Sequence, residues 1–144
     1  MTRNTVSVTV NIDAPAEKVF AVLCDVERWP EWTSTMTSVK RMESGSFAVG
    51  SSARVRQPGL RPAVWQVTEL EDQRNFTWTT RSLGLRMTAG HSIEPNGAGS
   101  RVVLSFELSG FIAPLVSRLY GGLIKRYITT ESQGLKKRSE SAAT

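Results

Sequence analysis

Apolar and polar residues alternate from Val6 to Ile12, with Val6, Val8, Val10 and Ile12 set between Ser7, Thr9 and Asn11. A period of two puts one set on each face of an extended chain, so the segment is predicted to be a half-buried strand. The pattern breaks at "DAPAEKVFAVLCD". Pro15 suits the first turn of a helix, where its missing N–H has no partner to lose. Glu17 complements the positive helix start, and Val19, Phe20 and Leu23 share one apolar face. Asp25 is placed to cap a second short helical turn that runs into Trp29 and is limited by Pro30.

From Met36 to Gly110, short runs rich in Val, Thr, Trp and Phe are separated by "ESGSFAVGS", "QPGLRP", "EDQRN", "SLG" and "PNGAG". These turn clusters delimit six strands, near 36–43, 51–57, 63–71, 75–81, 85–94 and 101–109, and links this short make neighbours antiparallel. After Gly110 the period becomes helical. With Arg118 at the origin of a wheel of about 100° per residue, Ile112, Val116, Leu119, Tyr120, Leu123, Ile124 and Tyr127 share an arc centred near Tyr127. Arg118, Lys125 and Lys136 lie opposite. Gly121, Gly122 and Gly134 each weaken such a helix by about 1 kcal/mol relative to Ala, so packing on the sheet has to hold it. Residues 1–3 and 139–144 are expected to fray.

One strand, two short helices, six strands and a long helix pose a packing problem. A single amphipathic helix covers one face of a seven-stranded antiparallel sheet only if the sheet curves around it, and such a sheet seldom closes fully on one helix. The gap is where a cavity is expected. At 144 residues, without repeat, linker or low-complexity stretch, the chain reads as one domain over 1–144.

Composition narrows the functions. The apolar fraction is 40% and the charged fraction 22%, ordinary for a globular protein, and no apolar run approaches the roughly 18 residues of a membrane span. The N-terminal residues lack an apolar signal core and a small-residue cleavage site, so a cytoplasmic location is expected. Cys24 is the one cysteine; with no basic neighbour it reads as a buried structural thiol. The net charge of +5 is uneven: residues 73–144 carry ten Lys and Arg against four Asp and Glu, whereas residues 1–72 carry eight against nine. A basic C-terminal side permits an acidic or nucleic-acid partner, and solvated surface explains it equally.

The alternating first strand with "IDAPAEKVFAVLCDVERWPEW", the central "WQVTELEDQRNFTW", the hairpin "IEPNGAGSRVVLSF" and the late "ESQGLKKRSE" resemble the START-like, Bet v 1-like (SRPBCC) superfamily. Within it they resemble the bacterial polyketide cyclase/dehydrase-like and lipid-transport-like proteins. The resemblance runs over nearly the whole chain. It implies an α+β helix-grip fold: a seven-stranded curved antiparallel sheet around a long C-terminal helix, with two short helices between strands 1 and 2. It also implies a hydrophobic small molecule in the cavity between sheet and helix, carried or sensed, with only some members enzymes.

Reactive groups are sparse. His91 is the one histidine and no G-x-S-x-G turn occurs, so no nucleophilic triad forms. One His, one Cys and no acidic cluster give neither a metal site nor a cofactor site. By strand parity Leu85, Met87, Ala89, His91 and Ile93 share a side, as do Phe76, Trp78 and Thr80. His91 then has two readings: a core histidine bonded to a neighbour's backbone, or a polar anchor or general base in an apolar pocket. Trp65 and Trp78 are core fillers or ligand platforms, and Met87, Leu119 and Leu123 join the expected pocket wall. Tyr127 carries a hydroxyl that needs a partner once buried. If the chain is an enzyme that closes or dehydrates a polyketide, His91 and Tyr127 are the pair to nominate as base and oxyanion donor. Trp29 and Trp32 sit among Asp25, Glu27 and Glu31, which argues against stacking nucleic-acid bases or meeting anionic headgroups. One of the two indoles is expected to close the end of the pocket, unless both are plain core.

Overall fold

The computed structural model describes residues 4–141. Strand β1 (Asn4–Ile12) is followed by helix α1 (Ala16–Cys24), a 3-10 helix (Val26–Glu31), and strands β2 (Ser38–Arg41), β3 (Ser52–Arg56), β4 (Ala63–Glu71), β5 (Asn75–Ser82), β6 (Leu85–Asn96) and β7 (Gly99–Ser109). Helix α2 (Ala113–Glu140) ends the order. All seven strands form one antiparallel sheet in the spatial order β1-β7-β6-β5-β4-β3-β2. The two edge strands are therefore the pair that α1 and the 3-10 helix connect, and α2 lies against β1, β7 and α1. This is the helix-grip arrangement expected from the order of elements.

Alternation decides which face holds the core. Phe76, Trp78 and Thr80 on β5 are buried on one side, as are Trp65 and Val67 on β4 and Val102, Leu104 and Leu108 on β7. Their odd-even partners face out, so the concave side collects the apolar residues. The exposed edge of β1 is closed by α2: Lys125 Nζ donates to Ser7 O at 3.3 Å, Lys136 Nζ to Asn11 O at 3.1 Å, and Asp13 N to Glu140 Oε2 at 2.7 Å. Polar side chains satisfy backbone groups that a bare edge would offer to another chain. Arg138 pairs with Glu31 at 2.7 Å. Much of the C-terminal basic excess thus ties α2 to the rest of the fold.

Three expectations need correcting. The second helical turn is a 3-10 helix with Pro30 inside it, and Asp25 makes no side-chain cap; its carboxylate meets Arg28 at 3.1 Å instead. The turn closes through i to i+3 bonds, Arg28 N to Asp25 O and Trp32 N to Trp29 O, both 3.0 Å, which a proline between them does not interrupt. Fraying does not begin at residue 139, because Ser139 is buried and Glu140 holds Asp13; the fraying expected at 1–3 and 142–144 lies outside the described residues. Finally, α2 is turned. Its buried stripe is Ile124, Ile128, Glu131 and Leu135, rotated roughly 70° on the wheel from the expected centre at Tyr127. Two apolar residues of the expected arc, Leu119 and Tyr120, are exposed.

Gly134 explains how close α2 comes. A Cβ there would sit 2.0 Å from the Trp32 carbonyl oxygen, so only glycine lets the helix cross the chain leaving the 3-10 helix at that distance.

Candidate functional site

Between the sheet and α2 lies a cavity of about 630 Å³. Its sheet wall is Val55, Trp65, Trp78, Thr80, Met87, Ala89, His91, Leu104 and Phe106, and its roof is the inner side of α2, including Val116, Leu123, Tyr127 and Glu131. Trp29 and Met36 also line it. Trp65 and Trp78 are tilted against each other with centroids 5.8 Å apart, and Phe106 meets Trp65 edge-on at 6.0 Å.

Trp29 is a buried part of the cavity wall. It is 1% exposed, its indole N–H donates to Leu23 O at 2.9 Å, and it packs on Trp78 and His91 at 5.5 Å each. A tryptophan held by ring contacts and a hydrogen bond forms a fixed wall. Trp32 stands outside the cavity, tilted against Trp29 at 5.3 Å, where it lines a small outer depression with Lys18, Asp25, Arg28 and Arg138. Leu119 is likewise outside, 66% exposed on the outer side of α2, because the helix is turned as described. Trp65, Trp78, Met87, His91, Leu123 and Tyr127 all border the cavity.

His91 is buried, and its Nδ1 lies 2.7 Å from Phe76 O. A carbonyl oxygen only accepts, so Nδ1 carries the hydrogen and Nε2 keeps its lone pair. The imidazole stacks on the Phe76 ring at 4.5 Å. Burial pushes its pKa down to about 4, and the Phe76 hydrogen bond opposes this only in part. The ring is neutral near pH 7, an acceptor in an aromatic wall.

Sequence reasoning missed Glu131. It is 8% exposed on the roof helix, and its Oε2 accepts from Thr35 Oγ1 at 2.9 Å. Thr35 Oγ1 is 2.9 Å from Thr33 Oγ1; with its own hydrogen given to Glu131, Thr35 accepts from Thr33. Burial raises the Glu131 pKa to about 7 against the Thr35 hydrogen bond, so near neutrality a large share is the uncharged acid. A signal existed: Glu131 stands seven residues after Ile124 and four before Leu135, on the same stripe.

Tyr127 is committed elsewhere. Its hydroxyl donates to Pro58 O, tying α2 to the β3–β4 link, so its proton is not directed at His91. Among the described residues no three His, Cys, Asp or Glu side chains gather as metal ligands. Burial and the Asp72 charge push the Cys24 thiol up to about 12, which leaves it unreactive.

The sequence matches the family described as polyketide cyclase/dehydrase and lipid transport over residues 3–140. The chain belongs to this family. No curated protein matches it. Among solved structures it is similar to Zhui aromatase/cyclase from Streptomyces sp. R1128, with TM-score 0.79 and 16% identity, covering 96% of this chain and 94% of that one. It is similar to a START superfamily protein from Mycobacterium smegmatis, with TM-score 0.73 and 18% identity over 94% and 97%. Norcoclaurine synthase from Thalictrum flavum, solved with dopamine and hydroxybenzaldehyde, gives TM-score 0.77 and 12% identity over 99% and 90%. At these identities the likeness is one of fold. Among the described residues no helix is long and apolar enough to cross a membrane.

Proposed function

We propose that this chain binds a hydrophobic small molecule, of lipid-like or polyketide-like character with a polar end, as a cytoplasmic carrier or sensor. The observation that carries the reading is the aromatic cavity of about 630 Å³ with buried His91 and Glu131 in its wall. That volume falls in the range of roughly 300–1,000 Å³ typical of small-molecule pockets lined by apolar groups with a few polar ones. Trp65, Trp78 and Phe106 supply broad faces for a flat or chain-like ligand, while Nε2 of His91 accepts and the acid form of Glu131 donates. Native mass spectrometry and displacement of an environment-sensitive dye test it. A bound small molecule or a displaceable dye is expected; a protein that carries nothing and admits no dye contradicts it.

One observation favours a second, enzymatic reading: a base and an acid line one cavity. In an enolising cyclisation, Nε2 of His91 takes the proton from a carbon beside a carbonyl. The C–H electron pair becomes the enolate, and the Glu131 acid donates a hydrogen bond to its oxygen. The magnitude weighs against it. A base whose conjugate acid has a pKa of about 4 has the right protonation at neutral pH but little driving force toward a carbon acid, so binding is the better-supported role. Turnover of poly-β-keto thioesters that vanishes in both His91→Gln and Glu131→Gln would reverse that order.

A further inference from the structure

The outer face of α2 changes character along its length. Leu115 and Leu119 point away from the sheet in its first turns, whereas Arg126, Gln133 and Lys137 hold the same outward positions later. Beside this apolar start stands the β5–β6 turn. Ile112 N donates to Gly84 O at 3.2 Å, and a Cβ on Gly110 would lie 2.4 Å from Gly84 O. These contacts hold the turn and the start of α2 together, so that Leu83, 93% exposed, and Phe111, 83% exposed, project from one tip.

The segments around this tip carry only cations, with Glu107 on β7, opposite Thr88, the acid at their border. Segments 57–64, 80–88 and 110–122 contain Arg61, Arg81, Arg86 and Arg118 and no Asp or Glu. Among the described residues none of these four arginines takes part in the ion pairs of the surface. The same segments supply exposed residues to the cavity lining, Leu60, Arg61, Arg81 and Tyr120, which sets the cavity mouth here.

We propose that this tip docks on the surface of an anionic phospholipid bilayer, with Leu83, Phe111, Leu115 and Leu119 entering the headgroup boundary and the arginines meeting lipid phosphates. Exposed apolar side chains flanked by cations are the combination that such an interface rewards. A second copy of this chain would set four arginines against four, and a nucleic acid would leave the leucines in water. Docking rests on the cavity reading for its purpose, since it would put the mouth against the source of a hydrophobic ligand.

The test is flotation with vesicles of phosphatidylcholine alone and of two parts phosphatidylcholine to one part phosphatidylglycerol. Binding to the anionic vesicles is expected to exceed binding to the neutral ones by at least about tenfold and to fall with salt. Leu83→Ser/Leu119→Ser and Arg118→Glu, all on exposed side chains, should each weaken it several-fold with an unchanged circular dichroism spectrum. No flotation at low salt, binding indifferent to both variants, or a dimer in sedimentation that the variants abolish would overturn the proposal. Dye binding in the cavity, measured on the same proteins without vesicles, separates the two readings. Dye uptake without flotation overturns docking and leaves the cavity reading standing.

Discussion

The His91 ring lies stacked on the Phe76 ring at 4.5 Å while its Nδ1 donates to the Phe76 carbonyl oxygen at 2.7 Å. One residue therefore supplies both the plane and the hydrogen-bond acceptor that orient the imidazole, and strand pairing sets it directly opposite on the neighbouring strand. The expected result is a single Nδ1–H tautomer that stays neutral down to about pH 4. Nitrogen chemical shifts of His91 across pH check this. With the folded pKa below the unfolded one, the neutral ring contributes stability that is present above pH 6.5 and lost as pH falls toward 4.

Glu131 has the opposite sign. Its folded pKa of about 7 stands above the ordinary 4.5, so its contribution is present below pH 4.5 and lost as pH rises through 7. Between about pH 4.5 and 6.5 the two groups change proton uptake in opposite directions and largely cancel. Glu131→Gln removes one side. Relative to the native chain the variant should gain stability as pH rises from 4.5 to 7, approaching about 3 kcal/mol above pH 8, by urea denaturation at several pH values. A difference that does not vary with pH would show that Glu131 is ionised inside the fold.

The glycines of α2 separate two causes. Gly134→Ala forces a Cβ against the Trp32 carbonyl and should cost more than about 2 kcal/mol, as rigid overpacking does. Gly122→Ala meets open space and should stabilise by about 1 kcal/mol through helix propensity alone. Thermal unfolding of both variants checks the opposite signs.

Strands and their inner faces were legible in the sequence because a period of two leaves little freedom: once Phe76, Trp78 and Thr80 face in, His91 follows by register. The last helix was less legible. Its first turns are apolar on the inner and outer sides alike, so the wheel averaged Val116, which lines the cavity, with Leu119, which faces water, and turned the predicted stripe away from Glu131. A carboxylate on a helix is ordinarily solvated surface, and only the hydroxyls of Thr33 and Thr35, nearly a hundred residues earlier, make its burial tolerable. The structural role of the basic C-terminal residues was hidden for a related reason: the pairing of Lys125 and Lys136 with the edge of β1 depends on a contact across the whole chain.

Tyr127 bridges α2 to the Pro58 carbonyl near the cavity mouth. Tyr127→Phe deletes that bond while keeping the ring, and should cost about 1 kcal/mol of stability. It should also speed dye release in stopped flow, because the link between helix and β3–β4 loop is loosened. Unchanged release with the expected loss of stability would confine Tyr127 to a structural tie.

The central claim is that the space under α2 is a binding site, and filling it is the direct test. Ala89 lines the cavity between Trp78 and Phe106 on neighbouring strands, so Ala89→Trp puts an indole where a ligand would lie. Dye affinity measured by fluorescence titration on the native chain and on this variant, with circular dichroism confirming the fold, is the measurement. The account predicts dye binding by the native chain and a loss of more than about tenfold in the filled variant. Equal affinity in both would place the dye elsewhere and contradict the account.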